Sequence, residues 1–265
     1  MVAVDLNADL AEGEIFTATD LALLDIVTSA SLACGFHAGS REVMREAAAA
    51  CVTSNVTIGA HVSYRDRTGF GRRPLDVAPD QLVIDLLEQY DVLTSEARTA
   101  GASVSYVKPH GALYGRMAVD PVVADCVVEA VSRSGATVLV AQAGTVVVEP
   151  AVRAGLTVVF EGFPDRGYLP DGRLAARGDP GALIEDPGEV GRRAVSLVQR
   201  GGTAAVDGTW TPVIAQTLCI HGDADHAVDT ARAVRSALEQ SGVLVRSYLP
   251  PRPGGFDAGT SAAGR

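Results

Sequence analysis

The sequence predicts an α/β fold in which parallel strands alternate with helices around a (β/α) barrel-like sheet. Eight short runs rich in β-branched and apolar residues recur along the 265 residues, and helical segments separate them. Parallel strands need long crossover connections, which helices supply. Seven or eight such units in about 250 residues fit a closed or nearly closed barrel, and a doubly wound open sheet is the alternative.

The strands are predicted from the β-branched runs at residues 2–6, 28–33, 56–60, 103–107, 137–141, 156–160, 217–220 and 243–249. Two helices have clear starts, because Asp120 and Asp186 are good N-cap residues and each precedes a proline, which suits the first helical turn. Apolar residues at helical spacing predict another helix over 79–100.

A chain with 47% apolar and 20% charged residues can bury a full core, as one large domain or as two. The order of strands and helices predicts a single barrel-like domain over residues 1–249, which is the expected catalytic domain. The Gly- and Pro-rich segment 161–185 is long for a connection and is predicted to be a lid. Residues 250–265, PPRPGGFDAGTSAAGR, are predicted to form a disordered tail.

Charge and cysteine usage limit the partners. The net charge of −10 and the lack of a basic patch argue against nucleic acid and anionic membranes. The first residues do not resemble a signal peptide, and no apolar run is long enough to span a bilayer. The four cysteines are widely spaced without a CxxC pair, which indicates reduced, mostly buried thiols and a cytoplasmic location. Small molecules and proteins are the expected partners.

Polar and ionisable residues follow six of the predicted strands, and four of the five histidines are among them. In a parallel barrel the carboxyl ends of all strands share one rim, where active sites of this architecture lie. His226, farther along the chain, is interpreted as a solvated or helix-starting residue. The residues predicted to share the rim are Asn7, Asp9, Glu12, His37, His61, Lys108, His110, Glu161, Asp165, Arg166, His221 and Asp223.

Lys108, in VKPHGALYG, is the only lysine among 22 basic residues. An ammonium is a compact charge, whereas a guanidinium is a wide planar fork, so the two differ most inside a crowded polar site. Pro109 favours extended backbone at Lys108, which would direct Lys108 and His110 to the same side. A structural salt bridge is the alternative interpretation of this lysine.

Other motifs indicate or exclude ligands. The segment TGFGRRP places Arg72 and Arg73 beside two glycines, a pattern that suits a carboxylate or phosphate, or else an ordinary solvated loop. A calcium loop at residues 5–16 is rejected, because Leu10 and Phe16 occupy its glycine and glutamate positions. The sequence has no P-loop, no dinucleotide fingerprint and no GxSxG elbow.

Six motifs in order resemble the LamB/YcsF family, over residues 2 to about 243. The motifs are DLNADLAE at 5–12, ACGFHAG at 33–39, IGAH with SYRDRTGFGRRP at 58–74, VKPHGALY at 107–114, FPDRGY at 163–168 and LCIHGD at 218–223. The resemblance implies a barrel of the glycoside hydrolase and deacetylase superfamily. It also implies one component of a three-part enzyme that opens 5-oxo-L-proline to L-glutamate with ATP. The ATP, with Mg²⁺, is expected to be handled together with the other two subunits.

This implied chemistry assigns roles at the rim. The histidines would supply acid and base, aspartates would orient them, and Lys108 would face the carbonyl oxygen or phosphate. The predicted catalytic residues are Asp9, Glu12, His37, His61, Lys108, His110, Asp165, His221 and Asp223. The predicted substrate-binding residues are Asn7, Arg72, Arg73 and Arg166.

Two other functions stay open: a stand-alone metal-dependent deacetylase or amidohydrolase, and a non-catalytic subunit that binds the lactam. The histidines show no HxxxH or HExxH spacing, so no tightly bound metal is expected.

The lone lysine leads to the first prediction. Lys108→Arg should fold normally but lower the rate of the assembled enzyme at least ~100-fold, the scale of losing one electrostatic donor. Thermal midpoint and 5-oxoproline-dependent ATPase activity are the measurements. If Lys108 were only a salt-bridge partner, the arginine variant would stay active, and Lys108→Ala would lower mainly the stability.

Overall fold

The computed structural model describes residues 2–221 and 226–248 of the chain. Asp223 and the predicted tail, 250–265, lie outside this part, so the predictions for them stay predictions. Ten strands are present in the described residues, numbered in chain order. They are β1 (Ala3–Leu10), β2 (Ser29–Ala33), β3 (Thr57–Val62), β4 (Val104–Pro109), β5 (Val138–Ala141), β6 (Thr157–Gly162), β7 (Gly202–Ala204), β8 (Trp210–Pro212), β9 (Thr217–Ile220) and β10 (Leu244–Val245).

Seven parallel strands form a closed barrel in the order β1-β2-β3-β4-β5-β6-β9, which closes because β9 also pairs with β1. The short β10 pairs in parallel with the beginning of β1, and β7 and β8 form a separate antiparallel pair. The predicted (β/α) barrel with seven or eight parallel strands is therefore confirmed, and the open-sheet alternative is wrong.

Eight helices connect or flank these strands in the described residues. They are α1 (Ala18–Leu24), α2 (Arg41–Thr53), α3 (Pro79–Thr99), α4 (Gly111–Met117), α5 (Pro121–Ser134), α6 (Val148–Arg153), α7 (Pro187–Arg200) and α8 (Ala227–Gln240). No helix in this part of the chain combines the length and apolarity that a bilayer crossing requires.

The helix ends follow the local chemistry of the sequence. The Asp120 carboxylate accepts hydrogen bonds from backbone N–H groups in the first turn of α5, and Asp186 does the same for α7. Gly135 ends α5 in the left-handed conformation, which glycine adopts at little cost. His226 is exposed and directly precedes α8, as predicted.

Several predicted strand boundaries differ from the structure, most of all at the first and last strands. The strand predicted over 243–249 is only Leu244–Val245 in the described residues. The sequence pattern places the end of the first strand at residue 6, but β1 continues to Leu10 and includes Asn7 and Asp9. These polar residues interrupt an apolar run, so the pattern indicates a strand end. They stay in the strand because their side chains are buried against polar and charged partners.

Beneath the rim, packing and a buried carboxyl group fill the barrel. Tyr106 packs with three valines of neighbouring strands. Asp5 accepts hydrogen bonds from the hydroxyl groups of Thr28, Ser29 and Thr217. Burial raises the pKa of Asp5, even though these hydroxyl groups favour its ionised form.

The segment between β6 and α7 crosses the carboxyl end of the barrel and contains no helix. Two isolated bridges, Arg166 with Leu183 and Tyr168 with Leu174, hold it in shape. Because the strands end beneath it, this segment is placed to cover whatever binds at the rim.

Gly59 in β3 supports a test of the barrel packing. A Cβ at this position would overlap the Tyr106 ring, so Gly59→Ala should lower the free energy of unfolding by roughly 1–3 kcal/mol or more. Gly115→Ala, in α4, is the matched control, because nothing lies within 4 Å of its Cβ position. Denaturant unfolding of both variants is the measurement, and equal stability of Gly59→Ala and the parent would contradict the packing described here.

Candidate active site at the carboxyl rim of the barrel

Lys108 lies inside the barrel, with only 2% of its surface exposed. Its Nζ lies 2.7 Å from Asp9 Oδ1, 2.9 Å from Glu161 Oε1, 3.1 Å from Asn7 Oδ1 and 3.0 Å from Cys219 Sγ. These partners come from β1, β6 and β9, while Lys108 belongs to β4. One ammonium therefore joins four strands of the barrel.

The charges in this network favour one another. Burial disfavours the Lys108 cation, but the Asp9, Cys219 and Glu161 groups outweigh this effect and hold the pKa of Lys108 well above its ordinary value. Burial likewise opposes ionisation of Asp9, but His61 and Lys108 hold the pKa of Asp9 well below its ordinary value. Lys108 and Asp9 thus form a buried ion pair at neutral pH.

Three histidines and one carboxylate form a second group beside this pair. Glu12 Oε1 lies 3.2 Å from His37 Nε2, 3.4 Å from His110 Nδ1 and 3.8 Å from His61 Nε2. His61 Nε2 and His110 Nδ1 are 2.9 Å apart. We call Glu12, His37, His61 and His110 the histidine cluster.

The loop that contains TGFGRRP shapes the histidine cluster. Gly71 has a φ of 65°, and a Cβ there would lie 2.8 Å from His110 Cδ2 and 3.0 Å from His37 Cβ. The His37 and His110 rings stack with centroids 4.1 Å apart. Glycine is therefore needed at position 71 both for its backbone conformation and for its lack of a side chain.

Burial keeps two of the three rings neutral. Burial and, second to it, the charge of His61 lower the pKa of His37 to about 3 and the pKa of His110 to about 2. Burial acts against the His61 cation as well, but Asp9 and Glu12 outweigh it and raise the pKa of His61 above its ordinary value. A proton held by this cluster is thus placed on His61.

A separate histidine and carboxylate pair follows β6 and β9. His221 Nδ1 is 2.6 Å from Asp165 Oδ2, and the Phe163 ring stacks against His221 with 5.9 Å between centroids. Burial would raise the pKa of Asp165, but His221 outweighs it, and the pKa of Asp165 is lowered. The hydrogen bond to the carboxylate leaves the lone pair of a neutral His221 on Nε2.

Both groups open onto one cavity of about 690 Å³. Its lining combines the rim residues with residues of the segment that crosses the rim, which supports the predicted covering role of that segment. Four polar residues of this lining, Tyr114, Gln142, Arg173 and Arg177, were not predicted. The polar lining residues are Asp9, His61, Arg72, Lys108, His110, Tyr114, Gln142, Arg166, Arg173, Arg177 and His221.

The predicted arginines have different positions. Arg72 lines the cavity. Arg166 also lines it, but its guanidinium donates hydrogen bonds to two backbone oxygens of the segment that crosses the rim, which stabilise that segment. Arg73 does not belong to the described residues that line the cavity, and it forms an ion pair with Asp66 in its own loop. Its position therefore fits a structural role in the loop better than contact with a substrate.

Two residues of the Lys108 network are missing from both the predicted catalytic set and the predicted substrate-binding set. The sequence assigns Glu161 only to the rim and interprets Cys219 as a small buried residue. Each lies two positions before another residue of the site, Cys219 before His221 and Glu161 before Phe163. Side chains two positions apart in extended backbone share a face, so the spacing to the predicted His221 could have identified Cys219.

The sequence left two interpretations of Lys108 open, a site cation and a structural salt-bridge partner. Both apply, because Lys108 forms an ion pair with Asp9 and also lines the cavity. Buried charges, histidines and a cavity at the carboxyl ends of the strands define the class of protein: a parallel (β/α) barrel with its polar site at the carboxyl rim. The chain belongs to the LamB/YcsF family, whose model matches residues 4–251. The resemblance drawn from the six motifs is thereby confirmed.

Individual relatives agree with this assignment. The 5-oxoprolinase A-type subunit 3 of Pseudomonas syringae pv. tomato is 46% identical over 255 residues, which are 95% of this chain and 100% of that protein. The lactam utilization protein from Thermus thermophilus is 42% identical, with a TM-score of 0.87 and coverage of 93% of this chain and 100% of that one. A T48 deacetylase with substrate is 12% identical, with a TM-score of 0.50 and coverage of 96% and 94%, and this likeness shows the fold alone.

The ion network can be tested through stability. Lys108→Met removes the cation and leaves the Asp9 and Glu161 carboxylates buried together, so the free energy of unfolding should fall by about 3–5 kcal/mol. The double variant Lys108→Met/Glu161→Gln removes one of the two negative charges and should recover part of the loss. Denaturant unfolding at neutral pH measures both, and an unchanged stability of Lys108→Met would show that the carboxylates do not depend on the lysine.

Proposed function

We propose that this chain is the A-type component of a multi-component 5-oxoprolinase, which opens 5-oxo-L-proline to L-glutamate with hydrolysis of ATP. One observation carries the proposal: the 5-oxoprolinase A-type subunit 3 of Pseudomonas syringae pv. tomato matches 95% of this chain at 46% identity. The cavity, lined by cations and histidines, supports a small anionic substrate.

In this proposal ATP, as its Mg²⁺ complex, is bound together with partner subunits. The sequence contains no P-loop and no dinucleotide fingerprint. If the ATP site of the assembly uses one of these two motifs, a partner subunit supplies it. The word subunit in the name of the relative is consistent with such an assembly. We take the partners to be the two other 5-oxoprolinase subunits, and the location to be the cytoplasm.

The reaction makes specific demands on the site. A five-membered lactam is a poor electrophile, so we propose that the γ-phosphoryl group of ATP is transferred to the lactam oxygen. Water then adds to the activated carbon, the ring C–N bond breaks as the nitrogen gains a proton, and an acyl phosphate remains. A second water releases phosphate and leaves L-glutamate. A base, an acid and cations that face the developing negative charge are therefore required.

The residues around the cavity can meet these demands. We assign the base to His221, because Asp165 binds its Nδ1 and leaves the lone pair on Nε2. Lys108 supplies positive charge near the lactam oxygen while it holds Asp9 in place. We assign the substrate carboxylate to Arg72, which lines the same cavity.

The histidine cluster favours a second candidate function, a stand-alone metal-dependent deacetylase or amidohydrolase. Its three imidazoles and one carboxylate are ligands of the kind that divalent transition metals prefer. A bound metal of this kind would polarise a carbonyl group and lower the pKa of a bound water. Chelator-sensitive hydrolysis of an acetylated substrate by the isolated chain, without ATP, would support this second function.

The division of labour leads to a direct prediction. The isolated chain should show no 5-oxoproline-dependent ATP hydrolysis, and activity should appear when the two partner subunits are added. The measurement is ADP and L-glutamate release from the chain alone, from the partners alone and from the complete mixture. Robust turnover by this chain alone would overturn the proposed assembly.

A variant at His221 separates catalysis from binding within the same assay. His221→Gln should lower turnover of the assembled enzyme by roughly 10²–10⁴-fold, the scale of losing a general base, without loss of complex formation. His226→Gln is the matched control, because His226 is exposed and precedes α8. Full activity of His221→Gln would favour a chain that only binds the lactam.

A further inference from the structure

The histidine cluster brings four metal-ligand atoms together from four separate parts of the chain. Glu12 and His37 follow β1 and β2, His61 lies in β3, and His110 follows β4. Their ligand atoms all lie within 4.8 Å of one another. We propose that these four residues bind one divalent transition metal ion, whether or not the chain acts in a 5-oxoprolinase.

Backbone carbonyl groups determine the tautomers of two rings. His61 Nδ1 lies 3.0 Å from the oxygen of Lys108, and His110 Nε2 lies 2.9 Å from the oxygen of Phe70. A carbonyl oxygen only accepts hydrogen bonds, so these two nitrogens carry the hydrogens. Without an added proton or other cation, His61 Nε2 and His110 Nδ1 would direct lone pairs at each other across 2.9 Å.

Two lone pairs at this distance repel, so the arrangement calls for a cation between the rings, either a shared proton or a metal ion. Negative charge is present on two sides to stabilise it. Asp9 Oδ2 lies 3.4 Å from His61 Nε2, and Glu12 Oε1 lies 3.4 Å from His110 Nδ1. The position between His61 and His110 is therefore built for a positive charge.

The hydrogen bonds to the carbonyl groups are also those that metal-binding histidines form. Such histidines usually donate their second N–H to a carbonyl or carboxylate, which orients the ring and strengthens it as a ligand. His61 and His110 both do so. The His37 Nδ1 has no such partner among the described residues. The His37 ring stacks nearly parallel on His110, so it would have to turn for both rings to direct a nitrogen at the same ion.

The separations between the ligand atoms suit a tetrahedral ion. Metal–ligand bonds of about 2.0–2.1 Å place tetrahedral ligands about 3.3–3.4 Å apart. Glu12 Oε1 lies 3.2, 3.4 and 3.8 Å from the three nitrogens, and the His61 and His110 nitrogens are 2.9 Å apart. These four separations lie within about 0.5 Å of the tetrahedral value. All ligand atoms lie within 4.8 Å of one another, so the side chains would move toward the ion to complete the site.

The ligand set indicates the class of metal. Three imidazoles and one carboxylate suit zinc and its neighbours, whereas Mg²⁺ and Ca²⁺ prefer oxygen ligands. The ion could enter from the large cavity, because His61 and His110 line it.

The expectation of no tightly bound metal rests on the spacing of the histidines along the sequence. That spacing is informative only for ligands on one helix or one loop. His61 and His110 are 49 positions apart, and neighbouring strands of the barrel bring them together. Local spacing therefore does not decide whether this rim binds a metal.

Metal content tests the proposal without any assay of activity. The untagged full chain, purified without chelator, should contain close to one equivalent of a divalent transition metal by elemental analysis. After removal of this metal, calorimetric titration with Zn²⁺ should show one site. Titration with Co²⁺ should give the visible absorption of tetrahedral cobalt.

Variants locate the site. Glu12→Gln and His110→Gln remove one ligand each and should lower the affinity for Zn²⁺ at least ~100-fold. Loss of a residue that only supports a ligand already costs up to about 100-fold, and loss of the ligand itself should cost at least as much. His221→Gln is the matched control, because it removes a histidine from the same rim but outside the cluster, and it should bind Zn²⁺ like the parent. Circular dichroism and thermal midpoints in chelator show whether each variant folds, and His37→Gln replaces any variant that does not.

Two results would overturn the proposal. A parent chain that is metal-free as purified and gives no heat with Zn²⁺ would mean that a shared proton joins His61 and His110. Equal Zn²⁺ affinity of the parent and the cluster variants would place any bound metal elsewhere. Because neither measurement involves 5-oxoproline, ATP or partner subunits, both results are independent of the proposed function.

Discussion

The buried ammonium of Lys108 is the interaction on which the rest of the site depends. A cation at this depth is stable only when negative and polar groups surround it. These groups come from distant parts of the chain, since Asp9 is 99 positions away and Cys219 is 111 positions away. The network therefore requires a closed barrel in which the carboxyl ends of β1, β4, β6 and β9 lie at the same height along the barrel axis.

Two groups with different chemistry adjoin this network. The histidine cluster lies at the carboxyl ends of β1 to β4, where burial keeps His37 and His110 neutral and the nearby carboxylates place any proton on His61. The His221–Asp165 pair follows β9 and β6, where the carboxylate orients the imidazole. Lys108 lines the cavity that both groups share. A substrate in this cavity would be in reach of a neutral imidazole, a cation and an imidazole that a carboxylate orients.

Much of the site could be predicted from strand periodicity alone. Residues at the ends of parallel strands meet at one rim, and residues two positions apart share a face. This reasoning placed Lys108 and His110 together, and both line the cavity. It missed Cys219, because a cysteine in an apolar run resembles a core residue. It also missed the polar end of β1, because Asn7 and Asp9 resemble the start of a loop.

By itself the sequence determined the alternation of strands and helices, the helix starts at Asp120 and Asp186, and most of the residues at the rim. These features depend on local periodicity and on capping, which act over a few residues. Only the tertiary structure decided which rim residues touch. It paired Lys108 with Glu161, Arg73 with Asp66, and the His61 and His110 nitrogens across 2.9 Å. Contacts of about 3 Å depend on strand register, loop conformation and barrel closure, and most of them join residues that the local pattern cannot relate.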